Sequence, residues 1–288
     1  MQGTVDGFSY GLVTPVVAYL MACLGGALGL RCTTRAMVSN SWRPGWLALG
    51  SVAIGSGIWT MHFIAMMGFK VEQAPIHYDR AMTYASLGVA IVMVGLGIFI
   101  VGYRGASGTA LMTGGAITGL GVASMHYLGM AGMRLNGKLE YNTFTVGASV
   151  VIAVVAATTA LWAAGQVRGF LWSVGASLVM GLAVTGMHYT GMAALRVHLH
   201  SSTAPTGGDS TASLIAPMMI GPLAFLLLAG VVVMFDPLII MGKPAQPPVE
   251  NKPGVPAREL VSHPPARRPS LRTRRNLDHE DSRTPQNR

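Results

Sequence analysis

Gly181-Leu182-Ala183-Val184-Thr185-Gly186-Met187-His188-Tyr189-Thr190-Gly191-Met192 is a glycine-rich apolar stretch that carries one histidine and no formal charge. The same arrangement stands at Gly55-Ser56-Gly57-Ile58-Trp59-Thr60-Met61-His62-Phe63-Ile64-Ala65-Met66 and at Gly119-Leu120-Gly121-Val122-Ala123-Ser124-Met125-His126-Tyr127-Leu128-Gly129-Met130. One pattern, G-x-[GA]-x-x-[TSG]-M-H-[FY]-x-[AG]-M, describes all three, and repetition of this kind marks one structural unit used several times. The repeats lie near residues 55–68, 119–132 and 181–194, with their histidines 64 and 62 residues apart. That interval fits one helix up and one helix down across a bilayer, since a single span takes about 20 residues.

The composition agrees with a membrane solvent. Of 288 residues, 51% are hydrophobic and 11% are charged, against about 25% charged in an average soluble domain. Seven apolar stretches are long enough to span: Phe8 to Leu30, Trp46 to Phe69, Ala81 to Tyr103, Gly108 to Met133, Phe144 to Gly165, Phe170 to Leu195 and Ser213 to Ile240. Without water, every backbone N–H and C=O must find its partner inside the protein, so such stretches are helical. The expected fold is all-α: a polytopic membrane helix bundle of seven transmembrane helices, built as three repeated helix pairs plus a seventh helix, over residues 1–240. The N-terminus has no basic n-region and no convincing cleavage site, so the first stretch reads as a retained span.

The formal charge of +9 does not indicate a nucleic-acid partner once the cations are located. Ten of the twenty lie between Lys243 and Arg288, together with five acids and nine prolines. That composition predicts a disordered basic, Pro-rich tail over residues 241–288, suited to anionic lipid headgroups or to a cytoplasmic signalling partner. Tail and first connection, with Arg31, Arg35 and Arg43, fall on one side if seven spans cross. The positive-inside rule then predicts a multi-pass protein of the inner membrane with the N-terminus outside and the C-terminus cytoplasmic. Cys23 and Cys32 are too far apart along one helix for a disulfide, about 13 Å by helical rise, and read as buried thiols.

All three motifs enter the membrane in one direction, which puts His62, His126 and His188 at one depth, about 10 Å below the outer ends of their spans by helical rise. Positions i and i+4 share a helix face, so Met66, Met130 and Met192 present a thioether beside each imidazole. Gly55, Gly119 and Gly181, at i−7, fall on the same stripe and permit close backbone approach. Met61, Met125 and Met187 are turned about 100° away and flank the site. An ionisable group inside a membrane is a functional-site hypothesis, and three convergent copies with thioethers predict metal ligands. Imidazole plus thioether suits copper, Cu(I) above all; zinc more usually shows Cys or carboxylate; haem, which accepts His/His or His/Met pairs, is the competing cofactor. His77, His198 and His200 lie in the outer loops without a repeated spacing, and replacing them is expected to leave metal content unchanged.

The three motifs resemble the MHYT family of bacterial integral-membrane sensor domains over residues 8 to 240. Met187-His188-Tyr189-Thr190 carries the eponymous sequence in full; the others read Met125-His126-Tyr127-Leu128 and Met61-His62-Phe63-Ile64. The resemblance implies a signalling domain that faces outward, holds copper and senses a diatomic gas such as O2, CO or NO. Members of the family carry fused cyclic-di-GMP or kinase domains, whereas some 48 residues follow the last span here, so the expected output runs through a partner. No carboxylate pair, Ser/His/Asp set or phosphate loop predicts an enzyme. A copper transporter or metallochaperone is the alternative class; a transporter stages ligands along its path, while these ligands form one layer, with Met21, Met93, Met112 and Met180 only scattered deeper.

Overall fold

The computed structural model describes residues 4–38, 42–71, 75–166, 170–199 and 211–235. Seven helices account for most of them: α1 Val13–Val38, α2 Arg43–Met67, α3 Arg80–Arg104, α4 Gly108–Ala131, α5 Thr143–Gln166, α6 Phe170–Ala193 and α7 Thr211–Met234. The tail from residue 236 onward, with the end of the expected seventh stretch, lies outside the described residues, as do Glu72, Arg168, His200 and Asp209.

The chain is an all-α membrane helix bundle. Helices α1, α2, α3, α5 and α7 are both long and apolar enough to cross a membrane. Helices α4 and α6 have the length, 24 residues each, or about 36 Å by helical rise against a hydrocarbon core of about 30 Å. Each runs antiparallel to its neighbours: Gly114 near the start of α4 meets Gly97 near the end of α3, and Gly115 and Gly119 meet Thr158 and Val154 of α5.

The first helix begins and ends later than the hydropathy pattern predicts. Phe8–Leu12 forms turns in which the Ser9 N–H and hydroxyl both donate to the Gly68 carbonyl, so this segment is tied to the end of α2 instead of starting a span. At the other end, Thr33 and Thr34 donate their hydroxyls to the carbonyls of Gly29 and Leu30, and Cys32, Thr33 and Ala36 are buried. Helix α1 therefore carries Arg31 and Arg35 in its own last turns. Cys23 and Cys32 are buried free thiols.

Six helices close a ring in the order α1-α2-α3-α4-α5-α6, with α7 packed outside against α2 and α1. Glycine sets how closely they pass. A Cβ on Gly25 would stand 2.7 Å from the Cα of Gly57, and one on Gly57 2.6 Å from the Cα of Gly25, which fixes the α1–α2 crossing. The motif glycines repeat this device: a Cβ on Gly55 would fall 2.9 Å from Ile91 Cα, one on Gly119 2.4 Å from Val154 Cα, and one on Gly181 2.5 Å from Cys23 Sγ. They draw α3, α5 and α1 against the motif helices. The sequence reading placed them on the stripe that faces the site; they act instead on the flank, one helix further round. Helix α7 contains Pro217 and Pro222 and docks Leu226, Ala229 and Val233 against Leu28, Cys32 and Ala53.

Three two-stranded antiparallel ribbons cover the motif end of the bundle. Strand β1 (Val5–Asp6) pairs with β2 (Lys70–Val71), β3 (His77–Tyr78) with β4 (Met133–Arg134), and β5 (Gly137–Tyr141) with β6 (Leu195–Leu199). Each ribbon joins the segment after one motif helix to another part of the same end, so the three repeats are laced together above the bundle.

Candidate metal centre

His62, His126 and His188 each stand five residues before the C-terminal end of their helix, at Met67, Ala131 and Ala193 respectively. That places them about 8 Å below the helix ends by rise, a little shallower than the apolar stretches predict because those stretches overrun the helices. All three are buried. Their Nδ1 atoms converge: His62 to His126 is 3.1 Å, His62 to His188 3.1 Å and His126 to His188 3.2 Å. The rings stand nearly perpendicular to one another, with interplanar angles of 83°, 77° and 89° and centroids 4.9–5.0 Å apart.

This triangle is frustrated as a hydrogen-bonded network. A ring nitrogen has either one hydrogen or one lone pair, and in a cycle of three at least one contact must pair like with like. A cation at the centre, approached by three lone pairs, removes the conflict. The size fits as well: a triangle with edges of 3.1–3.2 Å has its corners about 1.8 Å from its centre, close to the ~2.0–2.1 Å of a metal–imidazole bond. Among the described residues these three form the group of His, Cys, Asp or Glu side chains close enough to hold a metal ion, and it contains no carboxylate.

What surrounds the triangle follows the motif position by position. The residue after each histidine is its ring wall: Phe63, Tyr127 and Tyr189 meet His62, His126 and His188 edge-on at 4.7, 4.8 and 5.0 Å. Each wall then meets an aromatic of the cap: Phe63 with Tyr78 at 6.1 Å, Tyr127 with Tyr141 at 5.8 Å, and Tyr189 stacked on Phe8 at 5.5 Å. Phe63 does this as well as the tyrosines do, so the shared role is packing and not phenol chemistry. Burial pushes the Tyr78 hydroxyl well above its usual range, and burial with the neighbouring Tyr127 pushes Tyr141 up to about 12; both stay neutral phenols.

The small residue at i+3 has a direct purpose. A Cβ on Gly129 would stand 2.7 Å from His62 Nε2, and one on Gly191 2.5 Å from His126 Nε2. Each glycine thus makes room for the imidazole of the preceding motif helix. The Nε2 atoms of His62 and His126 are buried without a hydrogen-bond partner, lying on these glycines.

Comparison with known proteins agrees with the repeats. The family model described as MHYT, bacterial signalling protein N terminal repeat, matches residues 55–114, 119–177 and 181–239. The chain belongs to the MHYT family. It is 35% identical over 205 residues to the bifunctional diguanylate cyclase/cyclic di-GMP phosphodiesterase MucR of Pseudomonas aeruginosa, covering 69% of this chain and 30% of that protein. It is 34% identical over 213 residues to the cyclic di-GMP phosphodiesterase NbdA of the same organism, covering 70% and 27%. With the signaling protein YkoW of Bacillus subtilis it shares 30% over 208 residues, covering 69% and 25%. The chain thus spans less than a third of the length of these relatives. No solved structure matches it.

Each MHYT repeat starts at one of the flank glycines and carries one imidazole of the triangle. The methionines are placed less uniformly. Met61, Met125 and Met187, together with Met66 and Met130, are fully buried, while Met192 is partly buried against the same core. The Nδ1 triangle closes without them. His77 is exposed on β3, and His198 Nε2 lies 3.2 Å from a Glu140 carboxylate oxygen at the surface. The sequence reading missed both the use of Nδ1 and the aromatic cap. The [AG] position was visible in the repeat pattern and was the available signal for a neighbouring ring.

Proposed function

We propose that this chain is the membrane sensor part of a bacterial signalling protein, in which His62, His126 and His188 hold a copper ion through Nδ1 and a diatomic gas is the signal. The observation that carries this reading is the frustrated Nδ1 triangle. Its ligand set is neutral and buried, so the charge of the ion is not compensated; a monovalent ion is less costly there than a divalent one, which favours Cu(I) over zinc. Haem, the competing cofactor, takes only one or two imidazoles, so three converging within 3.1–3.2 Å favour a bare ion over it. Bound copper would supply a coordination position for O2, CO or NO. Met66, Met130 and Met192, one turn beyond the imidazoles, supply thioethers or pack around the site, with Met61, Met125 and Met187 behind them.

The protein's own part is to hold three rings at fixed mutual angles and to exclude bulk water with the aromatic cap. The motif face is outward on the positive-inside reading of the first connection and the basic tail; at the opposite face Arg43 donates to the Gly102 carbonyl and lies over Tyr103, and Arg35 lies over Trp46. Two of the three relatives carry cyclic di-GMP activities in their names, and output here runs to a cytoplasmic partner of that kind through the basic tail, without catalysis in the helical bundle itself.

Protein purified in mild detergent and loaded with Cu(I) under argon tests this. The expected result is bound copper, no Soret band, and a CO infrared band that disappears in His126→Ala. A Soret band in the purified protein, or copper loading that leaves CO without a band, overturns the reading.

A further inference from the structure

Four residues before each histidine, one helical turn deeper, stand Ile58, Val122 and Val184, and eight before stand Ile54, Thr118 and Met180. On an α-helix both sets fall on the histidine face, and all six line one cavity of about 40 Å³. The cavity thus lies deeper than the histidines on their own face of the motif helices, with Met187 among its lining residues. A single water-sized molecule needs only about 10–15 Å³ on this measure. The wall offers no polar surface, and a cavity of that kind stays dry and takes up apolar gas atoms.

The helices between the motifs line the cavity unequally: α1 and α3 contribute Leu30, Val94 and Ile98, whereas α5 contributes alanines, among them Ala153, Ala157 and Ala164, beside one large residue, Leu161. The same substitution of small for large opens the side of the bundle. Between α5 and α6 a second, lipid-facing groove of about 520 Å³ runs past Trp162 and Trp172. Ala156, Ala160 and Met180 line both spaces, so a wall one side chain thick separates the hydrocarbon from the chamber below the histidines.

We propose that the axial cavity is a binding chamber for small apolar gas molecules, filled sideways from the bilayer through the α5–α6 groove. Apolar solutes concentrate in hydrocarbon relative to water, so the lipid side is the richer source, while the opposite route is closed by three ribbons and an aromatic layer. The chamber deepens the gas-sensing reading, and for its purpose rests on it.

Xenon tests the chamber without the metal, because it fills apolar space and does not ligate copper. The full chain in nanodiscs, stripped of metal, is expected to bind xenon in hyperpolarised 129Xe exchange NMR. Ala157→Leu should lower xenon occupancy by at least about tenfold, since a cavity this size has no room for both, and leave copper stoichiometry at the parent level. Ala160→Phe should slow xenon exchange without changing copper. If Ala157→Leu does not fold, Leu161→Ala enlarges the same cavity and must raise occupancy. A parent that binds no xenon, or variants that leave occupancy and exchange unchanged, overturns the chamber; xenon binding in a protein that takes no copper would sustain it and sink the metal reading alone.

Discussion

An imidazole inside a membrane helix is costly enough that its surroundings should answer for it, and here the answer lies in residues that bear no charge. His62 and His126 each rest their outer nitrogen on a glycine of the next motif helix, Gly129 and Gly191. The remaining motif helix, α2, has Ala65 at the corresponding position. Gly129→Ala and Gly191→Ala are predicted to push the facing ring out of the triangle. Overpacking of this kind costs about 1–3 kcal/mol, while a binding constellation tolerates only about 0.5 Å of displacement. Copper affinity should therefore fall well before the melting temperature does, read by competitive titration with a Cu(I) chelator beside thermal circular dichroism. Equal affinity in the two variants and the parent would show that the glycines are not there for the imidazoles.

At the scale of elements, the cap is as important as the helices it closes. Asp79 is the N-cap of α3: its carboxylate accepts the Met82 N–H at 3.0 Å and lies 3.4 Å from the Arg134 guanidinium of β4. The Met82 N–H first, with Arg134 and the Ala81 N–H, holds this carboxyl below its usual range. A carboxyl with a depressed folded value stabilises the native state above its ordinary range, about 4, and loses that contribution as the pH falls through the folded value. Amides in the first turn of α3 are predicted to exchange faster as the pH drops below about 4, after correction for the intrinsic rate, whereas Asp79→Ala should exchange fast throughout. Protection in the variant equal to the parent's at neutral pH would remove Asp79 as the cap. The helices were legible in the sequence because their apolar stretches are long and the motif sits at a constant distance from its helix end. The ribbons were not: β1 to β4 are two residues each, too short for alternation to register. They form because their chain ends are already fixed by neighbouring helices. The start of α1 was misplaced for a related reason, since Phe8 and Tyr10 are apolar but belong to the cap.

Among the described residues, the helical unit repeats one motif three times and is made unequal by α7 and by the small residues of α5. The repetition implies that three imidazoles share a depth; which nitrogen turns inward depends on how the rings settle against glycines from other helices, which no repeat pattern encodes. Nor does one show the axial cavity, which is a difference between repeats and not a shared feature. The three imidazoles belong to no single helix, so the triangle forms only when the ring of six closes. This makes stoichiometry the most direct measurement. Purified protein titrated with Cu(I) against a chelator of known affinity should bind one ion per chain, and each of His62→Ala, His126→Ala and His188→Ala should lose nearly all of that affinity, while His77→Ala and His198→Ala keep it. Three ions per chain with one lost per substitution would mean three independent sites, and full binding in all three histidine variants would mean that the triangle holds the helices together and not a metal.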